Sequence, residues 1–282
     1  MKFKIFSELS YDVFAPTTFI FNVHAARSAS QLILEESFLI TPDLSFEEFS
    51  LDTVDARFVK IAVNKGVSFT ITYDAIVDVK YKVIEETSSL QEIPVMELER
   101  EIIPFLFPSR HCQSDKLRKL ALKEFGKLEN AYAKVVAINE WIFKHTDYIT
   151  GVTDSGTSAF DTIIQSEGVC KDFAHLGIAL CRALDIPARY VTGYAYKIFP
   201  PDFHACFEAY IGGHWIFFDP TKLIPANGLV KIANCRDAGD AAVASFFGNT
   251  NCTYMKVQCN TVGDDFKPFI STTGTSESIS YQ

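Results

Sequence analysis

A stretch beyond the middle of the chain, GVCKDFAHLGIALCRAL (residues 168–184), decides the fold. Beyond its first turn it is apolar on nearly all sides, which predicts a helix buried inside the protein. Cys170 stands at the predicted N-terminus of this helix, and Ile186-Pro187 marks its end. A thiol there lies near the positive end of the helix dipole and near unpaired backbone N–H groups, which favour the thiolate. The same N–H groups could stabilise an oxyanion formed by attack on a carbonyl.

A β-hairpin is predicted downstream of that helix, from HACFEAYIGGHWIFFDP (residues 204–220). The two glycines in its middle are typical of a two-residue turn between antiparallel strands. If Ile211 faces His214 across this turn, His204 and Asp219 are diagonal neighbours on one face of the hairpin. Side chains in that relation can touch. The hairpin therefore brings an imidazole and a carboxylate together.

These segments predict a catalytic triad. Cys170 would be the nucleophile, His204 the base that takes its proton and returns it to the leaving amine, and Asp219 the group that holds the imidazole tautomer. A lone histidine or a lone Asp-Pro is more often structural than catalytic. All three residues in these local contexts indicate a thiol enzyme.

The motifs GVCKDFAHLGIALCRALDIPARYVTGY, HACFEAYIGGHWIFFDPT and CRDAGDAAVASFFG resemble the bacterial transglutaminase-like proteins, a branch of the papain-like thiol enzymes often described as candidate cysteine proteases. The resemblance covers both halves of the chain. It implies an α+β fold, with an N-terminal antiparallel β-sandwich before a papain-like core in which helices pack on an antiparallel sheet. It also implies the same nucleophile, base and orienting acid.

The chain departs from this family at three positions. Cys206 stands two residues after the predicted catalytic histidine, where an aromatic residue, commonly Trp, is usual; Lys171 replaces the usual Arg; and Asp185 replaces the usual Gly before Ile-Pro. By the hairpin register, Cys206 points to the same side as His204. Loss of an aromatic side chain there could widen the pocket or weaken its exclusion of water.

The extra thiol also raises a metal alternative. Cys170, His204, Cys206 and Asp219 could form a four-ligand zinc set. An H-x-C spacing supplies only part of a zinc motif, and the other ligands would leave their catalytic roles. We therefore expect no metal and no cofactor, and the chain contains no G-x-x-x-x-G-K-[ST] or G-x-G-x-x-G motif.

The organisation of the chain follows from its hydrophobic periods. The first ninety or so residues alternate with period two and are rich in β-branched and aromatic residues, as β-strands require. Helical spacing then predicts helices over 115–125 and 129–145. We expect a β-sandwich domain over residues 1–95, a catalytic core over 96–272, and a loose Ser/Thr-rich tail over 273–282.

Composition excludes several classes of protein. With 282 residues, 48% hydrophobic and 22% charged, the chain is an ordinary globular protein of about two domains. Its net charge of −9 repels phosphate backbones and anionic lipid heads, so nucleic acid and membrane partners are not expected. No stretch is long and apolar enough to span a bilayer, and the N-terminus lacks a signal-like apolar segment. These features predict a cytoplasmic protein; its oligomeric state is left open.

The other cysteines carry no catalytic signal. The chain has seven cysteines and no C-x-x-C pair, which in a reducing compartment indicates free thiols rather than a disulfide framework. We expect five of them to be small buried hydrophobic residues, namely Cys112, Cys181, Cys235, Cys252 and Cys259.

The function predicted from the sequence is acyl transfer by a thiol. The nucleophile would attack a peptide or amide bond and form a thioester, which water resolves in a peptidase or amidase and an amine resolves in a cross-linking enzyme. The family resemblance favours hydrolysis. The alternative is a non-catalytic domain that keeps the fold and binds peptides in its groove.

Overall fold

The computed structural model of the chain describes residues 1–51, 54–270 and 277–282. The strands are β1 (Lys2–Val13), β2 (Thr17–Phe21), β3 (Gln31–Thr41), β4 (Phe46–Leu51), β5 (Val54–Val63), β6 (Ser68–Val79), β7 (Lys82–Ile84), β8 (Asp147–Tyr148), β9 (Glu167–Gly168), β10 (Ala188–Ala195), β11 (Phe203–Ile211), β12 (His214–Phe218), β13 (Leu229–Cys235), β14 (Ala244–Phe247), β15 (Thr250–Thr261) and β16 (Ser278–Ser280). The α-helices are α1 (Ser114–Phe125), α2 (Ala131–His145), α3 (Ala159–Gln165) and α4 (Cys170–Ala183), and short 3₁₀ helices cover Thr87–Ser89, Val95–Glu97 and Ile103–Leu106.

The N-terminal part of the chain forms the expected β-sandwich. One layer is an antiparallel sheet in the order β15-β1-β6-β3. Alternate residues of β1 and β6 are buried, as the period-two pattern requires. Their aromatic rings pack against β2: the ring centroid of Phe19 lies 5.2 Å from that of Tyr11 and 5.0 Å from that of Phe69. Interlocked aromatic side chains therefore hold the two layers face to face.

The second layer of the sandwich continues into the sheet of the core. The strand order of this long sheet is β14-β2-β5-β13-β10-β11-β12-β16-β7, with β4 also paired to β5. The junction is at Asp55 and Asn234, where the strands pair and the Asn234 Nδ2 atom donates to Asp55 Oδ2 at 2.9 Å. Strand pairing thus crosses the division expected near residue 95, because β14 and β15 lie in the expected core by sequence yet pair with β2 and β1 of the sandwich.

The end of the chain differs from the expected loose tail. Ser278–Ser280 pairs with β12 on one side and β7 on the other. Tyr281 is buried, and its hydroxyl donates to the Ala226 carbonyl at 2.6 Å. The expectation of a loose tail is wrong for residues 278–281. The Ser-rich composition suggested a polar segment, but the side chains of Ile279 and Tyr281 are buried in the core. Residues 273–276 of the expected tail lie outside the described residues.

The helices lie where their spacing predicted them and form the other layer of the α+β core. The helices expected over 115–125 and 129–145 are α1 and α2, and Asn130 caps α2 by accepting from the Ala133 N–H at 2.9 Å. Helix α4 lies directly on β11. A Cβ atom added to Gly177 would meet the Phe207 ring at 2.6 Å, so only glycine permits this close packing. The α+β fold class is confirmed.

The residue after the C-terminus of α4 explains one family departure. Asp185 has a φ of 61°, the left-handed conformation for which glycine is the usual choice. Arg118 binds both carboxylate oxygens of Asp185, at 3.0 and 3.1 Å. This bidentate pair offsets part of the strain that a side chain adds at that position. No helix in the described part of the chain is long and apolar enough to cross a membrane.

Candidate active site

The predicted nucleophile begins helix α4. Cys170 is half-buried, and its Sγ atom lies 4.0 Å from the Phe203 carbonyl oxygen at the start of β11. Buried Asp172 fixes the first turn, because its Oδ2 atom accepts from the Val169 N–H at 3.0 Å and from the Thr153 hydroxyl at 2.7 Å. A Cβ atom on Gly168 would lie 2.8 Å from the Asp172 side chain, so the residue before this turn must be glycine. The thiol is held at a rigid helix N-terminus.

His204, the predicted base, is buried in the sheet, and one of its two ring nitrogens is hydrogen-bonded. The His204 Nε2 atom lies 3.1 Å from Asp219 Oδ2. The Nδ1 atom is buried and has no hydrogen-bond partner among the described residues. The Cys170 thiol lies near the same ring and is among the neighbours that raise the pKa of His204. Nδ1 is therefore the nitrogen left free to take the thiol proton.

The predicted orienting acid is the most fully bonded group of the site. The Asp219 Oδ1 atom accepts from the backbone N–H and the hydroxyl of Thr221, at 3.0 and 2.7 Å. Its Oδ2 atom accepts from the N–H groups of Leu223 and Ile224, at 3.2 and 3.3 Å, besides facing the His204 ring. These donors fix the carboxylate, and the carboxylate in turn fixes the imidazole.

The hairpin register that placed these two residues together is the expected one. Ile211 pairs with His214 and Phe207 with Phe218. Burial opposes charge on both members of the pair, yet their mutual attraction outweighs it. The pKa of Asp219 is lowered by His204 and by the Thr221 donors, and the pKa of His204 is raised well above its usual value, with Cys206 and Asp219 as the main neighbours favouring the charged ring. The pair is built to hold an imidazolium beside a carboxylate.

Cys206 lies inside the site, on the side that the hairpin register predicted. It is fully buried, and one donor atom from each of His204, Cys206 and Asp219 lies within 4.8 Å of the others. Burial raises the pKa of its thiol to about 12. Three of the four residues of the sequence-based metal alternative therefore come together, and Cys170 is not part of that close group.

Tyr148 was missed by the sequence reasoning. It lies on β8, which pairs with β9 so that Tyr148 stands beside Gly168, and its ring packs 5.8 Å from that of Phe173. Burial, together with the nearby Cys170 thiol, raises the pKa of the Tyr148 hydroxyl to about 12. No motif carries this signal, because β8 has only two residues and its contact with the helix N-terminus is a tertiary one.

The remaining cysteines are placed mostly as expected. Cys112, Cys181, Cys235 and Cys259 are buried. The expectation is wrong for Cys252, which is exposed on β15, where the edge of the sheet faces solvent. The exposed thiol of Cys252 hydrogen-bonds to the Tyr254 carbonyl oxygen at 3.6 Å, and not to a histidine.

Comparison with known proteins agrees with the folded arrangement. Residues 1–101 match the family described as bacterial transglutaminase, N-terminal domain, and residues 118–220 match the transglutaminase-like superfamily. A crystal structure of a candidate cysteine protease from Cytophaga hutchinsonii is 59% identical, covers 100% of this chain and 98% of its own, and superimposes with a TM-score of 0.98. The chain belongs to the transglutaminase-like superfamily.

The curated relatives match only part of this transglutaminase-like chain. An uncharacterised protein of Mycobacterium leprae is 37% identical over 129 residues, which are 43% of this chain and 46% of that protein. An uncharacterised protein of Bacillus subtilis is 23% identical over 198 residues, which are 61% of this chain and 26% of that protein. The chain spans less than half the length of either relative.

Proposed function

We propose that this transglutaminase-like protein is a thiol-dependent acyl-transfer enzyme that acts on peptide or amide bonds through Cys170, His204 and Asp219. One observation carries the proposal. The His204 ring is held through Nε2 by the hydrogen-bonded carboxylate of Asp219. Its buried Nδ1 has no partner among the described residues, and the Cys170 thiol at the N-terminus of α4 lies nearby. This arrangement suits a base that takes the proton of a nucleophile.

The proposed reaction has two halves. Nδ1 of His204 takes the Cys170 proton, and the sulfur attacks the carbonyl carbon, forming a C–S bond. The imidazolium returns the proton to the departing nitrogen as the C–N bond breaks, so that an amine or ammonia leaves and a thioester remains. Water then attacks the thioester with His204 as the base, which releases a carboxylic acid and regenerates the thiol.

The oxyanion formed in each half needs hydrogen-bond donors. The Cys170 backbone N–H is one, because it is unpaired within the first turn of α4. We propose the Tyr148 hydroxyl as the second, since Tyr148 stands beside Gly168, two residues before Cys170, and burial favours its protonated form. The position of Tyr148 on the short β8–β9 pair holds it against the helix N-terminus.

Hydrolysis is favoured over cross-linking for two reasons. The similar protein from Cytophaga hutchinsonii is described as a candidate cysteine protease. In addition, Cys206 replaces the aromatic residue that is usual beside the catalytic histidine, and a smaller side chain gives weaker exclusion of water from the thioester. The substrate we propose is therefore a peptide or protein amide, with water as the second reactant.

The first test is the alkylation of thiols by iodoacetamide, followed by peptide mass spectrometry. At pH 6 an ordinary thiol is only about 0.3% ionised. We expect Cys170 to react at least about tenfold faster than Cys252, although Cys252 is the more exposed, and His204→Ala to remove that advantage. Equal rates for the two thiols, or an unchanged rate in His204→Ala, would overturn the proposal.

The second test separates an enzyme from a binding domain. Intact-mass analysis over a library of peptides and amides should reveal an acyl-enzyme on wild-type protein and none on Cys170→Ala. A non-catalytic peptide-binding domain is the alternative, and it predicts a different outcome. A reactive Cys170 that never carries an acyl group, together with peptide binding, would establish the binding domain instead.

A further inference from the structure

A cluster of three chemically different donors surrounds the proposed base. His204 offers an imidazole nitrogen, Cys206 a sulfur and Asp219 a carboxylate oxygen, and the three atoms lie within 4.8 Å of one another. Among the residues that the structure describes, this is the one group in which three His, Cys, Asp or Glu side chains could hold a metal ion together. The catalytic mechanism uses the imidazole and the carboxylate but gives the sulfur no task.

The donor types select a particular kind of ion. Nitrogen with sulfur is the ligand combination of zinc, whereas magnesium and calcium require oxygen ligands. Donor atoms around a tetrahedral zinc ion are about 3.3–3.8 Å apart, given the usual Zn–N and Zn–S distances. The His204 Nε2 to Asp219 Oδ2 separation of 3.1 Å is already close to that value. Small side-chain shifts complete the geometry.

Charge balance also fits a divalent ion in this buried place. On binding, the Cys206 thiol releases a proton to solvent and becomes a thiolate, and the His204 imidazolium releases a second proton and becomes neutral, while Asp219 is already a carboxylate. The two negative charges cancel the charge of the ion, and the imidazole binds as a neutral ligand through a lone pair.

We propose that His204, Cys206 and Asp219 bind a zinc ion, and that the bound ion reversibly blocks the thiol enzyme by occupying its base. Cys170 is half-buried and lies near the same ring, outside the group of three ligands. Binding itself does not depend on the proposed function. The inhibitory consequence rests on it, because a ring that holds an ion cannot take the Cys170 proton.

The cluster makes a prediction that a simple thiol–imidazole site does not. If zinc bound only to the nucleophile and its base, as any reactive Cys–His pair could, removal of Cys170 would abolish binding. If the cluster is the site, Cys170→Ala keeps the ion and Cys206→Ala loses it. The two variants therefore separate the proposals with one measurement, and Cys170→Ala has no activity to confuse the result.

The experiment uses the full chain, reduced and freed of metal by a chelator, and a titration with zinc chloride in competition with a chromophoric zinc indicator. We expect about one zinc ion per chain for the wild type and for Cys170→Ala, and an affinity weaker by about a hundredfold for Cys206→Ala. Cys112→Ala is the matched control, since Cys112 is equally buried at the start of the helical region. Cys206→Ser serves if the alanine variant does not fold, as judged by near-UV circular dichroism.

The inhibitory consequence has its own readout. Zinc should slow the alkylation of Cys170 in the wild type by about tenfold or more, and not in Cys206→Ala. Loss of zinc from Cys170→Ala, retention by both Cys206 variants, or failure of the wild type to bind would each overturn the zinc site. None of these results bears on the acyl-transfer proposal, which the metal-free alkylation test decides.

Discussion

Two buried polar clusters lie on the same strand, β11, and only one of them is arranged for chemistry. At one end, His204 and Cys206 meet Asp219. Two residues further along, on the same face, Glu208 binds Lys231 through Oε1 at 2.6 Å and Arg189 through Oε2 at 2.7 Å. Both clusters are withdrawn from solvent, and both lie where the long sheet meets the rest of the core.

Perturbed ionisation does not distinguish the two clusters. The pKa of Glu208 is lowered by Lys231 and Arg189 in spite of burial, just as the pKa of Asp219 is lowered by its own donors. The difference lies in what remains unbonded. Each oxygen of Glu208 faces a cation, whereas the buried Nδ1 of the His204 ring has no partner within the described part of the chain and lies near a half-buried thiol. An uncommitted ring nitrogen, rather than burial or a shifted pKa, distinguishes the cluster that we propose to be functional.

The comparison predicts its largest effect, a loss of stability, for the cluster of Glu208, Lys231 and Arg189. Glu208→Gln leaves two buried cations without their anion, so the free energy of unfolding should fall by about 3–5 kcal/mol in urea denaturation. The alkylation rate of Cys170 in the folded variant should not change. Glu47→Gln is the matched control, because Glu47 pairs with Lys60 on the surface and its loss should cost under about 1 kcal/mol. Equal destabilisation by both variants, or slower alkylation in Glu208→Gln, would contradict the separation of the two clusters.

The second prediction concerns the carboxylate that holds the base. Because Asp219 helps to raise the pKa of His204, Asp219→Asn should lower that pKa. The measurement is an NMR titration of the His204 ring in a Cys170→Ala background, with His204→Ala to assign the resonance. An unchanged ring pKa would show that Asp219 orients the imidazole without tuning it.

The same pKa shift sets a pH dependence of stability. A group whose pKa is raised on folding stabilises the native state below its unfolded value, about 6.5 for histidine, and that contribution is lost as the pH rises through the folded value. In the Cys170→Ala background, we therefore expect the free energy of unfolding to be larger at pH 5 than at pH 9 by a contribution from His204. That contribution should be smaller when Asp219→Asn is added. A difference that stays the same would contradict the raised pKa.

Local patterns explain how much of this site could be predicted from the sequence. The glycine turn sets the hairpin register, and that register alone brings Cys206, His204 and Asp219 to one side of β11. The apolar run after Cys170 likewise fixes α4 by its own periodicity. Wherever residues close in sequence determine the geometry, the prediction and the structure agree.

Long-range pairings account for what was missed. The return of β15 to β1, the insertion of β16 beside β12 and the approach of Tyr148 to the helix N-terminus all join segments far apart in the chain. Short strands such as β8 and β16 carry too few residues to show a period. Their positions depend on the surface that the rest of the fold offers them, which no local pattern contains.

The smallest predicted effect tests whether the functional cluster also includes Tyr148. Tyr148→Phe removes one donor to the oxyanion but keeps the ring against Phe173, so acyl-enzyme formation should slow by about tenfold. Alkylation of Cys170 forms no oxyanion, and its rate should stay unchanged. Tyr132→Phe is the matched control, because its hydroxyl bonds Ser278 away from the thiol. If Tyr148→Phe slowed alkylation and acylation equally, the hydroxyl would be positioning Cys170 through its backbone N–H, and the second oxyanion donor would have to be another group.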